Sequence, residues 1–254
     1  MLKKYTLIFV QFLLHLKDCL SCCWLRCKSL FLTSCRRPRS HRDIIRDSKR
    51  LKKLPLHISF AVTENEIDYR DLACLIVWSV SLGISCISLY DYRGLIKANR
   101  ERLRTEVYRK QEVVMGEEAG KYSIHFYDPS CCREGRTWSG ENGEVVVCLL
   151  CVDDGRQAVS EAARRVCSSV QSRRLCLEEF TATDLEREMA LAAHGIVDPD
   201  MMVQLGPASC LIGYPPWLLR LTEIRSLYTH HNVNYKSFLA TIETFANCER
   251  RLGK

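Results

Sequence analysis

Nineteen consecutive residues, Leu72 to Tyr90, carry no charge, and Gly83 divides them into a helix-length piece and a strand-length piece. Leu72, Leu75, Ile76 and Val80 recur at helical spacing, Asp68 or Asp71 supplies an N-cap, and Gly83 supplies a stop. Ile84 to Tyr90 is then a β-branched strand, and Leu54 to Val62, entered through Pro55, is a strand before the helix. Strand, helix, strand is a βαβ unit, which implies an α/β domain with a central, mostly parallel sheet flanked by helices. The same uncharged run is also long enough to cross a bilayer. The Ser-rich, Ile-rich second piece favours buried helix plus strand.

The rest of the chain alternates in the same way. Ile96 to Glu112 is a charged amphipathic helix, and Met115 to Gly143 is Gly-rich and irregular, with a short strand at Tyr122 to Tyr127. Gly143 to Val152 is a strand, and Gln157 to Val170 a helix with Ala158, Val159, Ala162, Ala163 and Val166 inward. Thr183 to His194 is a helix with a capping box, and Met201 to Leu205 a strand. Tyr235, Phe238, Leu239, Ile242, Phe245 and Ala246 form the apolar face of a last helix, followed by Cys248-Glu249-Arg250-Arg251-Leu252-Gly253-Lys254. Arg offers a planar fork for phosphate oxygens and Gly a close backbone approach, against the plainer reading of a solvated basic tail.

Charge is unevenly spread. Met1 to Lys53 holds 14 Lys and Arg against 3 Asp and Glu, so the remaining residues are net acidic although the chain totals +7. A nucleic-acid footprint belongs on the folded domain, so no nucleic-acid partner is expected. Within residues 1–35, two apolar runs flank His15, Lys17 and Asp18. Lys17 and Asp18 cost about 5–7 kcal/mol on insertion, and a dozen apolar side chains return a similar amount. The segment is therefore a marginal span or an interfacial helix, and either puts the chain on a membrane. A cleavable signal peptide would need a small-x-small site, which is missing. Residues 36–53 read as a basic linker, held cytosolic by the positive-inside rule or drawn to anionic headgroups. The 15 cysteines are scattered and odd in number. Cys148 and Cys151 lie in a buried-strand pattern without the second pair a zinc site needs, and unpaired thiols suit a cytosolic face.

Three segments carry a family resemblance. Gly83-Ile84-Ser85-Cys86-Ile87-Ser88-Leu89-Tyr90 resembles a strand of the cis-prenyltransferases, the undecaprenyl diphosphate synthase-like family. Pro199 to Val203 with Gly206, then Trp217 and Glu223, is similar to that family's PDLLIRTSGE and W-Q-x-x-Y-x-E segments, and Arg251-Leu252-Gly253 to its closing R-x-G. The resemblance implies a cis-prenyltransferase-like domain over 54–254. Departures are equally specific. Active members carry H-x-x-x-x-x-D-G-N-x-R, whose Asp holds Mg2+ and whose loop cradles the allylic diphosphate. Here His57 is kept, Thr63 stands at the Asp position, Glu64-Asn65-Glu66 replaces the loop, Gln204 replaces an Arg, and Asp91-Tyr92-Arg93 replaces F-S-x-E-N-W. Glu64 is a displaced candidate metal ligand.

Together with the membrane arm, this pattern resembles the non-catalytic subunits of heteromeric cis-prenyltransferases. The resemblance implies a catalytic partner subunit, a place in the endoplasmic reticulum membrane with the domain facing the cytosol, and synthesis of a long polyprenyl diphosphate for dolichol from farnesyl and isopentenyl diphosphates. Arg251 would contact isopentenyl diphosphate in the partner's active site, with Leu252 and Gly253 closing around it and Mg2+ held mainly by the partner. Glu223 would be an interface or outer-shell carboxylate, or an ordinary ion pair with Arg220 or Arg225, and Trp217 would pack at the dimer core. Two other readings stand: a membrane receptor or adaptor in which Leu72 to Tyr90 spans, and a transferase active by itself.

Overall fold

A computed structural model of the chain describes residues 40–128, 143–176, 197–208 and 213–249, together with 178, 180, 181, 184, 185, 188, 210 and 211. Six parallel strands form one sheet in the order β3-β4-β2-β1-β5-β6: β1 His57–Val62, β2 Cys86–Asp91, β3 Ser123–Tyr127, β4 Glu144–Leu150, β5 Met201–Leu205 and β6 Glu223–Leu227. The helices between them are α1 His41–Ser48, α2 Tyr69–Leu82, α3 Leu95–Ala98, α4 Arg100–Met115, α5 Arg156–Gln171 and α6 Tyr235–Asn247. The expected α/β architecture, a central parallel sheet flanked by helices, is present.

The uncharged run resolves as helix plus strand. Asp68 caps α2 by accepting from the Arg70 and Asp71 amides, and Gly83, at φ 102°, ends it in a left-handed turn that a side chain would disfavour. Since α2 is 14 residues long and β2 lies inside the sheet, Leu72 to Tyr90 does not span a membrane, which removes the adaptor reading that required it. Among the described residues no helix is long and apolar enough to cross a membrane. Residues 1–35, read as the membrane-associated helix, lie outside the described residues.

Successive strand residues point to opposite faces, so each face gathers its own core. On one face Ile58, Phe60, Val62, Ile87, Leu89 and Val203 meet α2, α4 and α6 in the larger apolar cluster. There Phe238 packs against Phe60 and Trp78 at centroid distances of 6.3 and 5.9 Å, in tilted arrangements typical of aromatic pairs. On the other face Ala61, Tyr90, Cys148, Leu150 and Met202 pack with Tyr214 and Leu218. The apolar face expected of the last helix is observed, with Tyr235, Phe238, Ile242, Phe245 and Ala246 buried and Leu239 partly so.

Several elements differ from expectation for local reasons. The charged helix breaks at Asn99, whose side chain donates back to the Leu95 carbonyl, giving α3 and α4 in place of one helix. In α5 only Ala162 and Val166 are buried and Ala163 is exposed, because the seam facing the sheet is narrow. Within the segment read as a basic linker, His41–Ser48 is helical. Ser40 caps it, Ile44 is buried in the larger cluster, and Ser48 Oγ donates to the Leu82 carbonyl at 2.7 Å. The helix expected at Thr183 to His194 lies largely outside the described residues.

The second face also buries polar groups that satisfy one another. His57 Nδ1–H donates to the Val197 carbonyl at 2.5 Å, its Nε2 accepts from Ser88 Oγ at 2.7 Å, and Ser59 Oγ pairs with Tyr214 OH at 3.0 Å. Burial lowers the His57 pKa to about 4, against the opposing pull of the Val197 carbonyl and of Asp200. Folded His57 is thus neutral across a window where an unfolded histidine, at about 6.5, takes up a proton. Stability should therefore be complete above pH 6.5 and fall on acidification towards pH 4, by about 3 kcal/mol for the full shift at about 1.4 kcal/mol per unit. Urea unfolding at pH 7 and pH 5.5, a range above the carboxylates, checks this. A His57→Gln chain should lose most of the difference.

Candidate functional site

In an open parallel sheet the ligand crevice lies beyond the carboxyl ends of the strands. Here that end is formed by the segments after β1, β2, β4, β5 and β6, and it collects Thr63, Glu64, Asp91, Asp154, Gln204 and His230. Thr63 extends β1: its amide donates to the Leu205 carbonyl at 2.8 Å and its hydroxyl to the same oxygen at 3.1 Å. Gly206, at φ 126°, lets the β5 turn press against Thr63 and Glu64, where a Cβ would collide with both side chains.

Glu64 is the centre of the crevice. Oε1 accepts from Thr229 Oγ1 at 2.5 Å, and Oε2 accepts from the His230 amide at 2.9 Å and from His230 Nδ1. Burial opposes the charge, but these donors prevail and hold Glu64 below the usual carboxylate range. His230 is fully buried, and its Nε2 accepts from the Asp68 amide at 2.9 Å, joining the crevice to the start of α2. Asn232 completes the stitch through its amide to Asp71 Oδ2 at 2.5 Å.

The remaining charged groups of the crevice have internal partners too. Asp91 accepts from the Leu95 and Ile96 amides at 2.8 and 3.0 Å, so it caps α3. Lys97 Nζ lies 3.0 Å from Asp128 Oδ1 and 2.7 Å from Asp154 Oδ2. Burial disfavours its charge, yet the two carboxylates overcome that cost and raise Lys97 to about 12. Gln204 donates to the Cys210 carbonyl at 3.3 Å and accepts from Ser226 Oγ at 3.2 Å.

Could this crevice hold Mg2+? Such an ion demands near-octahedral oxygen ligands, and the carboxylate adjoining Thr63 already serves three donors. Glu64, His230 and His231 do present ligand atoms within 4.8 Å of one another. The tautomer works against a metal there. With Nε2 committed to the Asp68 amide, neutral His230 must carry its proton on Nδ1, the atom that would have to bind the ion. The donor set fits a hydrogen-bonded lock and does not fit Mg2+.

The opposite end of the sheet holds the other predicted residues. Glu223 begins β6 and pairs with Arg225, whose Nε lies 2.8 Å from Oε1, while Arg220 pairs with Asp198 at 2.7 Å. The Cys248 thiol sits beside Glu223, which holds the thiol above its ordinary range. Trp217 is partly buried against Tyr214 and Leu218 of its own chain. Arg251, Leu252 and Gly253 lie outside the described residues. The structure thus brings Glu223 to the root of the tail and leaves Trp217 apart from it. Sequence reasoning passed over His230 and Lys97. The His230-His231 doublet was the available signal for the first, whereas nothing local marks Lys97.

No family model matches the chain. Among known proteins, the dehydrodolichyl diphosphate synthase complex subunit Nus1 of Mus musculus is 35% identical over 213 residues, covering 82% of this chain and 69% of that one. The Homo sapiens NUS1 subunit is 35% identical over 218 residues, with 82% and 70% covered. The chain belongs to the Nus1 family of dehydrodolichyl diphosphate synthase complex subunits. The Schizosaccharomyces pombe member is 28% identical over 218 residues, covering 84% of this chain and 82% of that one. Among solved structures, lavandulyl diphosphate synthase from Lavandula x intermedia, in complex with dimethylallyl diphosphate, matches with a TM-score of 0.53 at 14% identity, covering 79% of this chain and 99% of that one. At such identity the likeness bears on the fold alone.

In this Nus1-family chain Glu64→Gln would put an NH2 group against donors. The expected cost is about 1.5–3 kcal/mol, that of losing a charged acceptor. The loss should be largest near neutral pH and shrink in acid, because a carboxyl held low stabilises the fold above its unfolded pKa and loses that contribution as pH falls through the folded one. Denaturant midpoints of the two chains at pH 7 and pH 3.5 measure it.

Proposed function

We propose that this chain is the non-catalytic, activating subunit of a heteromeric cis-prenyltransferase. The pair makes long-chain dehydrodolichyl diphosphate from farnesyl and isopentenyl diphosphates, for dolichol synthesis and protein glycosylation. The family supports membership of such a complex, and the crevice supports a subunit without chemistry of its own: its polar groups are spent on its own loops.

The observation that carries the division of labour is where the tail begins. Cys248 lies at the amino ends of the strands, beside Lys53 and Glu223, at the far end of the sheet from Thr63 and Glu64. From Cys248 to Arg251 the backbone reaches about 10 Å, roughly half the 20 Å depth of a six-residue strand. Arg251 is thereby better placed to serve another chain than its own crevice. In this reading its guanidinium takes the diphosphate of isopentenyl diphosphate in the catalytic subunit's active site. Leu252 and Gly253 let the backbone close on it, and Mg2+ belongs to the catalytic subunit. Glu223, beside Cys248, belongs to the same interface. Residues 1–35 hold the pair at the endoplasmic reticulum membrane with the domain on the cytosolic side.

Purified chain should show no turnover of farnesyl and isopentenyl diphosphates, and co-expression with a catalytic subunit should restore it. In the assembled pair Arg251→Ala should lower kcat/KM about ten- to a hundredfold, the equivalent of a charge-assisted contact of about 1.5–3 kcal/mol, with pull-down unaffected. Turnover by the chain alone, or an Arg251→Ala pair as active as the parent, would sink the reading.

A further inference from the structure

The last helix ends in a way its own sequence does not provide for. A helix terminus leaves carbonyls without intrahelical partners, and a cation there also meets the negative end of the macrodipole. The last turn of α6 contains no basic residue, and Cys248 leaves it in extended conformation, at φ −77° and ψ 127°, with its amide bonded to the Phe245 carbonyl. The cation comes from 195 positions earlier. Lys53 Nζ donates to the Cys248 carbonyl, and it stands 4.9 Å from the centroid of the Phe245 ring. Leu51 and Leu54 on either side are packed against the core, so the lysine is presented from a fixed backbone.

We propose that Lys53 is a positioning residue for the transfer reaction: by holding the Cys248 carbonyl it sets the direction in which the chain leaves α6, and so where Arg251 is delivered. This rests on the reading of Arg251 as a residue acting in the partner's active site. Lys53 meets the chain three residues before Arg251, so a change of direction at Cys248 displaces the guanidinium by several ångströms. A displacement of that size is enough to weaken binding of a diphosphate without altering the reacting groups. It also joins the segment that precedes β1 to the tail, giving the chain's two functional extensions a common anchor.

The assembled pair tests this with Lys53→Met, which keeps the apolar stem on Phe245 and drops the ammonium, alongside Lys53→Arg, Lys53→Gln and Arg251→Ala. Lys53→Met should raise KM for isopentenyl diphosphate five- to twentyfold with kcat within twofold. Lys53→Arg should return KM to within twofold of the parent. A normal KM for Lys53→Met beside an impaired Arg251→Ala pair overturns the proposal and leaves Lys53 a stabilising contact. If Arg251→Ala is itself silent, the in-trans reading fails first and this one falls with it. Loss of assembly or folding in both Lys53→Met and Lys53→Gln also overturns it, since the role is then structural.

Discussion

Burial of the central strands on both faces governs this molecule. β1, β2 and β5 are buried at every position, so no side chain along them reaches solvent chemistry. Apolar residues satisfy that condition by packing, and the few polar ones satisfy it in pairs, His57 with Ser88 and Ser59 with Tyr214. An unpaired polar group in such a place costs several times what a bonded one contributes. Function is therefore confined to the two ends of the sheet.

The ends have been used differently. At the carboxyl end, where related folds gather ligands, charges have become fastenings. Glu64 ties the loop after β1 to the turn after β6, Asp91 starts α3, and Lys97 draws Asp128 and Asp154 together. Removing one partner of a buried pair leaves an uncompensated charge, so such groups resist recruitment by a passing anion or cation. At the amino end the fastenings lead outward: Lys53 and Glu223 meet Cys248, where the tail departs. A fold inherited from diphosphate chemistry thus stabilises its former crevice and presents its working residues elsewhere.

Much of this was readable from local pattern. The β1–α2–β2 unit, the role of Gly83 and the buried face of α6 follow from residue type and spacing, because each rests on contacts within a few positions of sequence. The absence of the Asp at Thr63 and of the loop glycines announced a crevice without a metal site. β6 went unread since an edge strand is half exposed and admits charge, as in Glu223 and Arg225, so neither strict alternation nor an apolar run marks it. The break at Asn99 depended on one side chain choosing the Leu95 carbonyl.

By itself the sequence determined the fold class, the missing metal ligand and the amphipathic last helix, since periodicity and residue chemistry dictate what can be buried and what can bind. Tertiary structure alone decided the use made of the remaining polar groups. Glu64 finds His230 166 positions away and Lys53 finds Cys248 across 195, and no short-range regularity encodes either meeting. Those pairings exist because a closed parallel sheet brings all strand ends of one kind together, where every buried donor must find an acceptor.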